Sequence, residues 1–406
     1  MTDDKKPRRQ NGTGSVYQRR DGRWVGAAYV LTADGGYRRK PCYGSTEDEA
    51  RDKMIEAQKR SDAGLPDESN VRLAEYLRQW LAEVVKPQVR GRTYETYQRV
   101  VERHLVPALG RKRLHKLTPT DVRRFMTGKS ADGLAPQTVT YMRSVLRSAL
   151  AEAMRDGLVQ RNVAALTKPP RVPRNEITPL TEAEARRLLH TSRTDRLAAF
   201  WLIAVSLGLR RSEILGLRWS RIDLDGRTLR TTHGVQRVAG KLVLDELKSR
   251  TSHRTLPLPR VVVDALREHR NRQASERLAA GPAWQDLDLV FCTQLGGPLD
   301  PRNINREFRS LLIRARVGVE WEGEPDDPAG RWITRVRLHD LRHSCASFLL
   351  AQGVSARVVM EILGHSGIVI TMNTYAHVLP TLLGSALDGM DRLLGDDDEI
   401  DDETSG

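Results

Sequence analysis

The chain has 406 residues, 39% of them hydrophobic, which is enough for two or three cores, and no run of about 18 apolar residues, so no transmembrane helix is expected. Its start, MTDDKKPRRQNGTGS, lacks the apolar stretch of a secretory signal, and Cys42, Cys292 and Cys345 form no CxxC pair, which fits a reducing compartment with free thiols and no structural zinc. The formal net charge of +14 is uneven: 14 Lys/Arg against 10 Asp/Glu over 1–63, 21 against 11 over 64–177, 31 against 24 over 178–395, and seven acids with no base over 396–406. A field that positive through the middle of a chain draws polyanions and points to nucleic acid.

Residues 1–12 read as disordered. Over 14–44, short β-prone runs (SVYQRR, RWVGAAYVL, YRRKPCYG) are broken at Asp21-Gly22 and Asp34-Gly35-Gly36, a hairpin pattern. Thr46 and Glu49 then open a helix to about residue 60. The expected unit at 13–63 is a three-stranded sheet plus a helix. Arg19, Arg20, Arg23, Arg38, Arg39 and Lys40 lie among Tyr17, Trp24, Tyr29, Tyr37 and Tyr43, and a sheet of this kind can lie in a DNA groove.

Residues 68–165 read as a four- or five-helix bundle, with LAEYLRQWLAEVV at helical spacing, RTYETYQRVVERHLVPAL after it, Thr118-Pro119 capping DVRRFMTG, and Pro136 opening a long helix. Its charge excess makes Arg92 and Arg143 candidate DNA contacts. Residues 166–179 form an extended proline-rich basic linker offering Lys168, Arg171 and Arg174. A capping box at Thr181–Glu184 opens a further domain over 180–394. Helices are expected there at about 181–191, 195–207, 212–217, 259–279, 302–315, 339–351, 355–363 and 369–376, with strands over 222–258. The helix at 379–394 has an apolar stripe, and 395–406 reads as an acidic disordered tail.

Within that domain Arg210 and Glu213, three apart, share a helix face, and His339 and Arg342 repeat the spacing. Lys248 is expected at the tip of a strand pair; His365 follows a helix end at Leu363-Gly364, and Tyr375 lies ten residues on. Two Arg, two His, a Lys and a Tyr suit phosphodiester chemistry. Two guanidiniums can clamp both non-bridging oxygens and stabilise a dianionic transition state. Tyrosine, only about 0.1% ionised at pH 7, needs cationic neighbours or a base to attack. A lysine can protonate a leaving 5′-oxygen. The bond energy would be kept in a phosphotyrosyl ester, with no cofactor, ATP or metal. Eight of the nine tyrosines lie at or before Tyr141, so if this domain uses a tyrosine, Tyr375 is its candidate. The bland readings are a surface ion pair for Arg210–Glu213, a core thiol for Cys345, and an i, i+4 zinc pair for His339 and His343, the last disfavoured by Arg342 between them.

GLRRSEILGLRW, LKSRTSHRTLPL, LHDLRHSCASFLL and LGHSGIVITMNTYAHV, in this order, resemble the four boxes of the tyrosine recombinase (phage integrase) family. The likeness is specific over 178–380, looser over 70–165, which resembles that family's core-DNA-binding bundle, and suggestive over 10–62, which looks like an arm-type-site-binding domain. It implies a multidomain, mainly α chain with small β-sheets: a mixed α+β catalytic domain, a SAM-like helical domain and the small N-terminal sheet domain. It places Arg210 and Arg342 as phosphate clamps, Glu213 as site-organising, Lys248 as general acid, His339 as base or hydrogen-bond partner, His365 as a donor to phosphate and Tyr375 as nucleophile. Ser206-Leu207 replaces the Thr-Gly common before Gly208.

The implied function is a site-specific integrase/excisionase of a mobile element, acting through a 3′-phosphotyrosyl link and a Holliday junction. Its implied partners are double-stranded DNA, further copies of itself in a tetramer with the C-terminal helix docking in trans, a directionality factor (excisionase) and a host DNA-bending protein, with no membrane. The implied location is a bacterial cytoplasm, at the nucleoid. The alternatives are a Xer-like dimer resolvase, a type IB topoisomerase and a non-catalytic DNA-binding regulator.

Overall fold

The computed structural model describes residues 15–32, 35–64, 71–173, 179–247, 250–323 and 331–364. The expected disordered N-terminus, the helices at 369–376 and 379–394 and the acidic tail lie outside these residues. The chain divides into two compact units, Met1–Arg174 and Asn175–Gly406.

In the first unit, β1 (Ser15–Gln18), β2 (Trp24–Leu31) and β3 (Tyr37–Gly44) form an antiparallel meander, with Tyr17 opposite Val25, Val25 opposite Tyr43, and Ala28 opposite Lys40. Side chains alternate across a strand, so one face carries Ala28, Val30 and Cys42, which pack on Met54 and Ala57 of α1 (Glu47–Asp62). Thr46 caps that helix by accepting from Glu49 N at 3.2 Å, while the Glu49 carboxylate turns back to Ser45. The opposite face leaves Tyr17, Tyr29, Tyr37 and Tyr43 exposed.

The same unit continues into the expected helices: α2 (Leu73–Gln79), α3 (Gly91–Val100), α4 (Pro119–Ala131) and α5 (Pro136–Arg155). α2 and α3 each run on into a widened π-turn, Trp80–Val85 and Val101–Leu105, in which Lys86 N and Val106 N reach back five residues to Leu81 O and Val101 O. A proline follows each turn, Pro87 or Pro107. It has no N–H for the carbonyl four residues back and its ring presses on that carbonyl, so the helix widens there. The bundle closes on Leu77, Leu105, Met142, Leu146 and Leu150, and Tyr76 Oη donates to Ala149 O at 2.9 Å. It extends past the expected limit at 165, because Thr167 is buried and accepts from Arg143. The sheet and the bundle fall within one compact unit, and Arg60 of α1 donates to Gly157 O beyond α5.

In the second unit, Thr181 and Glu184 form the expected reciprocal capping box at the start of α6 (Glu182–Thr191). The next helix, α7 (Ala198–Ser206), begins three residues later than expected because Arg196 is drawn sideways, bidentate on Glu276 and bonded to Cys292 O. It is apolar all round and central, with Phe200, Trp201 and Ile203 fully buried. A short helix, α8 (Arg211–Leu215), follows. Then come β4 (Ile222–Asp223), β5 (Thr228–Arg230), the hairpin β6 (His233–Val238) and β7 (Lys241–Glu246), and β8 (Thr255–Pro257). β8 joins β4 and β5, while β6 and β7 pair only with each other. The helices α9 (Arg260–Ala280) and α10 (Pro301–Ala315) enclose the core. An unexpected hairpin, β9 (Val319–Glu322) with β10 (Arg331–Thr334), sets Trp321 opposite Trp332, and then α11 (Asp340–Ala351) and α12 (Ala356–Leu363) complete the described chain. No described helix is long and apolar enough to cross a membrane.

Candidate active site

α7 ends at Ser206, and the chain turns through Gly208, which has φ +57°. This aims Arg210 at the N-terminus of α8. Glu213, one turn on, is 1% exposed and ties that turn down: its carboxylate accepts Arg210 Nη1 at 2.7 Å and Arg210 N at 3.0 Å. A second guanidinium, Arg254 beside β8, donates Nη2 to the same carboxylate at 3.1 Å. Burial raises the Glu213 pKa, but Arg254 first and then Arg210 overcome it, so the value lies below the ordinary carboxylate range. Arg210 keeps 37% of its side-chain surface open and donates Nη2 to Gly364 O at 3.0 Å. Its neighbour Arg211 points away, to Asn305 on α10.

α11 supplies the second half. Asp340, buried, holds Arg337 through both of its oxygens. Arg342 is 2% exposed and donates Nη1 to Gly208 O at 2.8 Å, which locks α11 to the turn before Arg210. His339 stays accessible to solvent, yet its pKa is lowered, by surrounding protein first and then by Arg342, with Arg210 and Arg337 adding and Asp340 opposing. His343 lies edge-on to His339 at 5.2 Å and is pushed down to about 4 by burial and by His339. No described group of three or more His, Cys, Asp and Glu side chains is arranged to hold a metal ion. Cys345 sits under Gly208 in the core, its thiol pushed up to about 12 by burial.

Among the described residues, Glu213 pairs with Arg210 and Arg254, and Asp340 pairs with Arg337. A solvent-open, fixed guanidinium such as Arg210 can bind an anion, and an imidazole of lowered pKa can take part in proton transfer. Lys248, His365 and Tyr375 lie outside the described residues. The strands flanking Lys248, β7 and β8, belong to different sheets rather than to one hairpin, whose turn falls instead at Ala239-Gly240. His365 follows directly on Gly364, where α12 ends with its carbonyl on Arg210. Arg254 was not among the expected site residues. It stands within LKSRTSHRTLPL, but nothing in its spacing distinguishes it from Arg250.

Residues 179–381, half of the chain, match the model of the phage integrase family, and residues 72–130 match the phage integrase N-terminal SAM-like domain. The chain belongs to the phage integrase family. An integrase of Streptomyces ambofaciens is 30% identical over 91% of this chain and 93% of its own length. Among solved structures, the Tn1549 transposon integrase in complex with a circular intermediate DNA superposes with a TM-score of 0.65 at 22% identity, over 80% of this chain and all of that one. A lambda integrase tetramer bound to a Holliday junction gives 0.52 at 18% identity, over 90% and 96%. The mainly helical fold with its mixed catalytic unit is the fold of this family. Its members, the tyrosine recombinases, are enzymes that cut and rejoin DNA in site-specific recombination of mobile elements.

The basic residues expected to meet DNA sort by position. Arg19, Arg20, Arg23 and Arg39 are exposed, with Arg39 on the open tyrosine face and Arg23 paired to Asp21. Arg38 and Lys40 lie on the half-covered face that carries α1. Arg92, Lys168 and Arg171 are exposed, and Arg174 lies outside the described residues. Arg143 corrects the expectation. It is 8% exposed and donates to Ala165 O and Thr167 Oγ1, so it braces the end of the bundle.

Proposed function

We propose that this phage-integrase-family chain integrates and excises a mobile element by cutting one strand of each of two duplexes through Tyr375. Arg210 and Arg342 clamp the scissile phosphate, Glu213 orients Arg210, and His339 accepts a proton or holds a phosphate oxygen. Lys248 protonates the leaving 5′-oxygen and His365 donates to phosphate. The attack breaks the bond from phosphorus to the 5′-oxygen, forms a 3′-phosphotyrosyl ester and leaves a free 5′-OH. Exchange with the partner duplex runs the step backward through a Holliday junction. No group beyond these side chains is needed to balance it.

The observation that carries this reading is the shared anchor of the two guanidiniums: Arg342 donates to Gly208 O two residues before Arg210, and Glu213 fixes Arg210 in turn. Related proteins solved on a circular-intermediate DNA and as a tetramer on a Holliday junction support DNA and self-association as partners here. The N-terminal sheet binds a second class of DNA site, with a directionality factor and a DNA-bending protein as helpers at a bacterial nucleoid.

The test is covalent-adduct mapping. The full chain is expressed with the DNA flanking its own gene, adducts are trapped under denaturing conditions, and the attached ends are sequenced, with Tyr375→Phe as control. Adducts at one pair of short matching sequences, absent from the control, are expected. Adducts that depend on Tyr375 but scatter without sequence preference point to a topoisomerase, and adducts that survive Tyr375→Phe overturn the nucleophile.

A further inference from the structure

Arg254 holds a position that clamping a phosphate does not explain. Its side chain is 9% exposed, beside a Glu213 that is 1% exposed, and all three of its guanidinium nitrogens are taken up by protein acceptors. All of its observed bonds are inward. Nη2 meets Glu213 Oε2 at 3.1 Å, Nε meets Ile362 O at 2.8 Å, and Nη1 meets Ser252 O at 3.4 Å. Its backbone is pinned as well: Arg254 N donates to Thr231 Oγ1, Thr231 N donates to Arg254 O, and Thr231 Oγ1 also holds Ser252 O at 2.7 Å.

Three segments distant in sequence therefore meet on one side chain. They are the start of α8, which presents Arg210, the strand region around β5 and β8, and the last turn of α12. That last turn is crowded onto it. A Cβ at Gly364, where φ is +67°, would lie 2.8 Å from Arg254 Nη1 and 2.8 Å from Thr251 O, so glycine is what lets the helix end there. Gly364 O in turn receives Arg210 Nη2. The result is a closed loop of contacts: Arg210 to Glu213, Glu213 to Arg254, Arg254 to Ile362, and Gly364 back to Arg210.

We propose that Arg254 is a positioning residue for strand cleavage, which fixes Glu213, and through it Arg210, against the last turn of α12. It touches neither DNA nor the reacting atoms. A planar guanidinium can serve a carboxylate and a carbonyl at once, whereas a lysine ammonium, a point charge on a flexible stem, holds one of them well. The proposal rests on the reading of Arg210 as a phosphate clamp. Small losses of alignment at a reacting centre cost rate far more than affinity.

The experiment uses the full chain and a nicked duplex oligonucleotide carrying the cleavage site found by adduct mapping. Adduct formation at saturating DNA gives the rate, and fluorescence anisotropy gives the affinity. Arg254→Gln is expected to slow adduct formation at least about tenfold with affinity within about twofold, and Arg254→Lys to recover part of the rate. Because both residues act in one chain of contacts, Arg254→Gln with Glu213→Gln is expected to be no slower than the slower single variant. A wild-type rate in Arg254→Gln, or losses that multiply in the double variant, overturn the proposal. If Arg254→Gln does not fold, Arg254→Lys decides: slowed cleavage at unchanged affinity supports the role, and a wild-type rate ends it. Arg210→Ala separates the underlying reading, since a full cleavage rate in that variant overturns the clamp itself, whatever Arg254 does.

Discussion

Replacing Glu213 with glutamine keeps the shape and removes one charge. The carboxylate is 1% exposed and receives three donors on two oxygens, Arg210 Nη1 on one, Arg210 N and Arg254 Nη2 on the other. An amide offers one acceptor, so at least one guanidinium meets an N–H, and the 9%-exposed Arg254 loses its counter-charge. Breaking a buried ion pair costs about 3–5 kcal/mol. The solvent-open Arg210 relaxes more cheaply than Arg254, which puts the variant near the lower end, about 3 kcal/mol. For a unit of this size that is a Tm lower by roughly 6–12 °C. Calorimetry of the full chain at pH 7 reads it. The pH dependence has a definite sign. The folded pKa of Glu213 lies below its ordinary 4.5, chiefly because Arg254 and then Arg210 outweigh burial. Its stabilisation is therefore whole above pH 4.5 and is lost as pH falls through the folded value. The gap between wild type and variant should hold steady from neutrality toward pH 5 and close below. A gap under about 2 °C at pH 7, or one that widens on acidification, refutes the reasoning.

Further outcomes follow from other parts of the chain. Tyr76→Phe removes the hydroxyl that donates to Ala149 O at 2.9 Å, and calorimetry should show about 1 kcal/mol lost from the first unit with cleavage rate unchanged. If the N-terminal sheet meets DNA as proposed, Arg39→Ala should make the slope of log affinity against log salt shallower by about 0.9, whereas Arg143→Met should leave that slope unchanged and lower Tm instead, because its guanidinium is spent inside the bundle. Cys42, Cys292 and Cys345 are all buried, and burial pushes Cys345 up to about 12, so a thiol reagent at pH 8 should count no cysteine in the folded chain and three in denaturant.

Features carried by local chemistry were legible in the sequence. The cap at Thr118, the capping box at Thr181, the turn at Asp21-Gly22 and the helix at α7 each depend on neighbours within a few residues. The Arg210–Glu213 pair was legible for the same reason, since one helical turn fixes it. What failed depends on contacts across the chain. Arg143 and Arg92 look alike on a basic helix, and only the returning segment at 165–167 decides that one is buried. β9 and β10 are four residues each, eight apart, too short to show an alternating pattern, and a Trp321–Trp332 contact and the Glu322–Arg331 pair link them across the strands. Arg254 acquires its meaning from Glu213 and Ile362, 41 and 108 positions away.

Gly208 is where the two halves of the site meet, and it offers a controlled comparison. Its φ of +57° costs any side chain about 1–2 kcal/mol. Gly353, just past α11, has φ +78° and nothing within 4 Å of a built Cβ, so Gly353→Ala measures that backbone cost alone. At Gly208 the same methyl would lie 2.5 Å from Leu363 Cδ2 and 3.2 Å from Cys345 Cβ and Sγ. Leu363 and Cys345 are themselves buried, so the methyl must displace the Leu363 side chain or shift the Gly208 turn against α11 and α12. Arg342 reaches Gly208 O, and Arg210 and Arg254 reach the carbonyls at the end of α12, so that displacement separates the groups that would close on a phosphate. Gly208→Ala should therefore lose more stability than Gly353→Ala. Its adduct formation should also fall well beyond what the unfolded fraction explains, while Gly353→Ala cleaves normally at temperatures where it is folded. Equal losses in both variants, in Tm and in rate, would mean that Gly208 serves only a turn and that its packing against α11 and α12 does not set the geometry of the site.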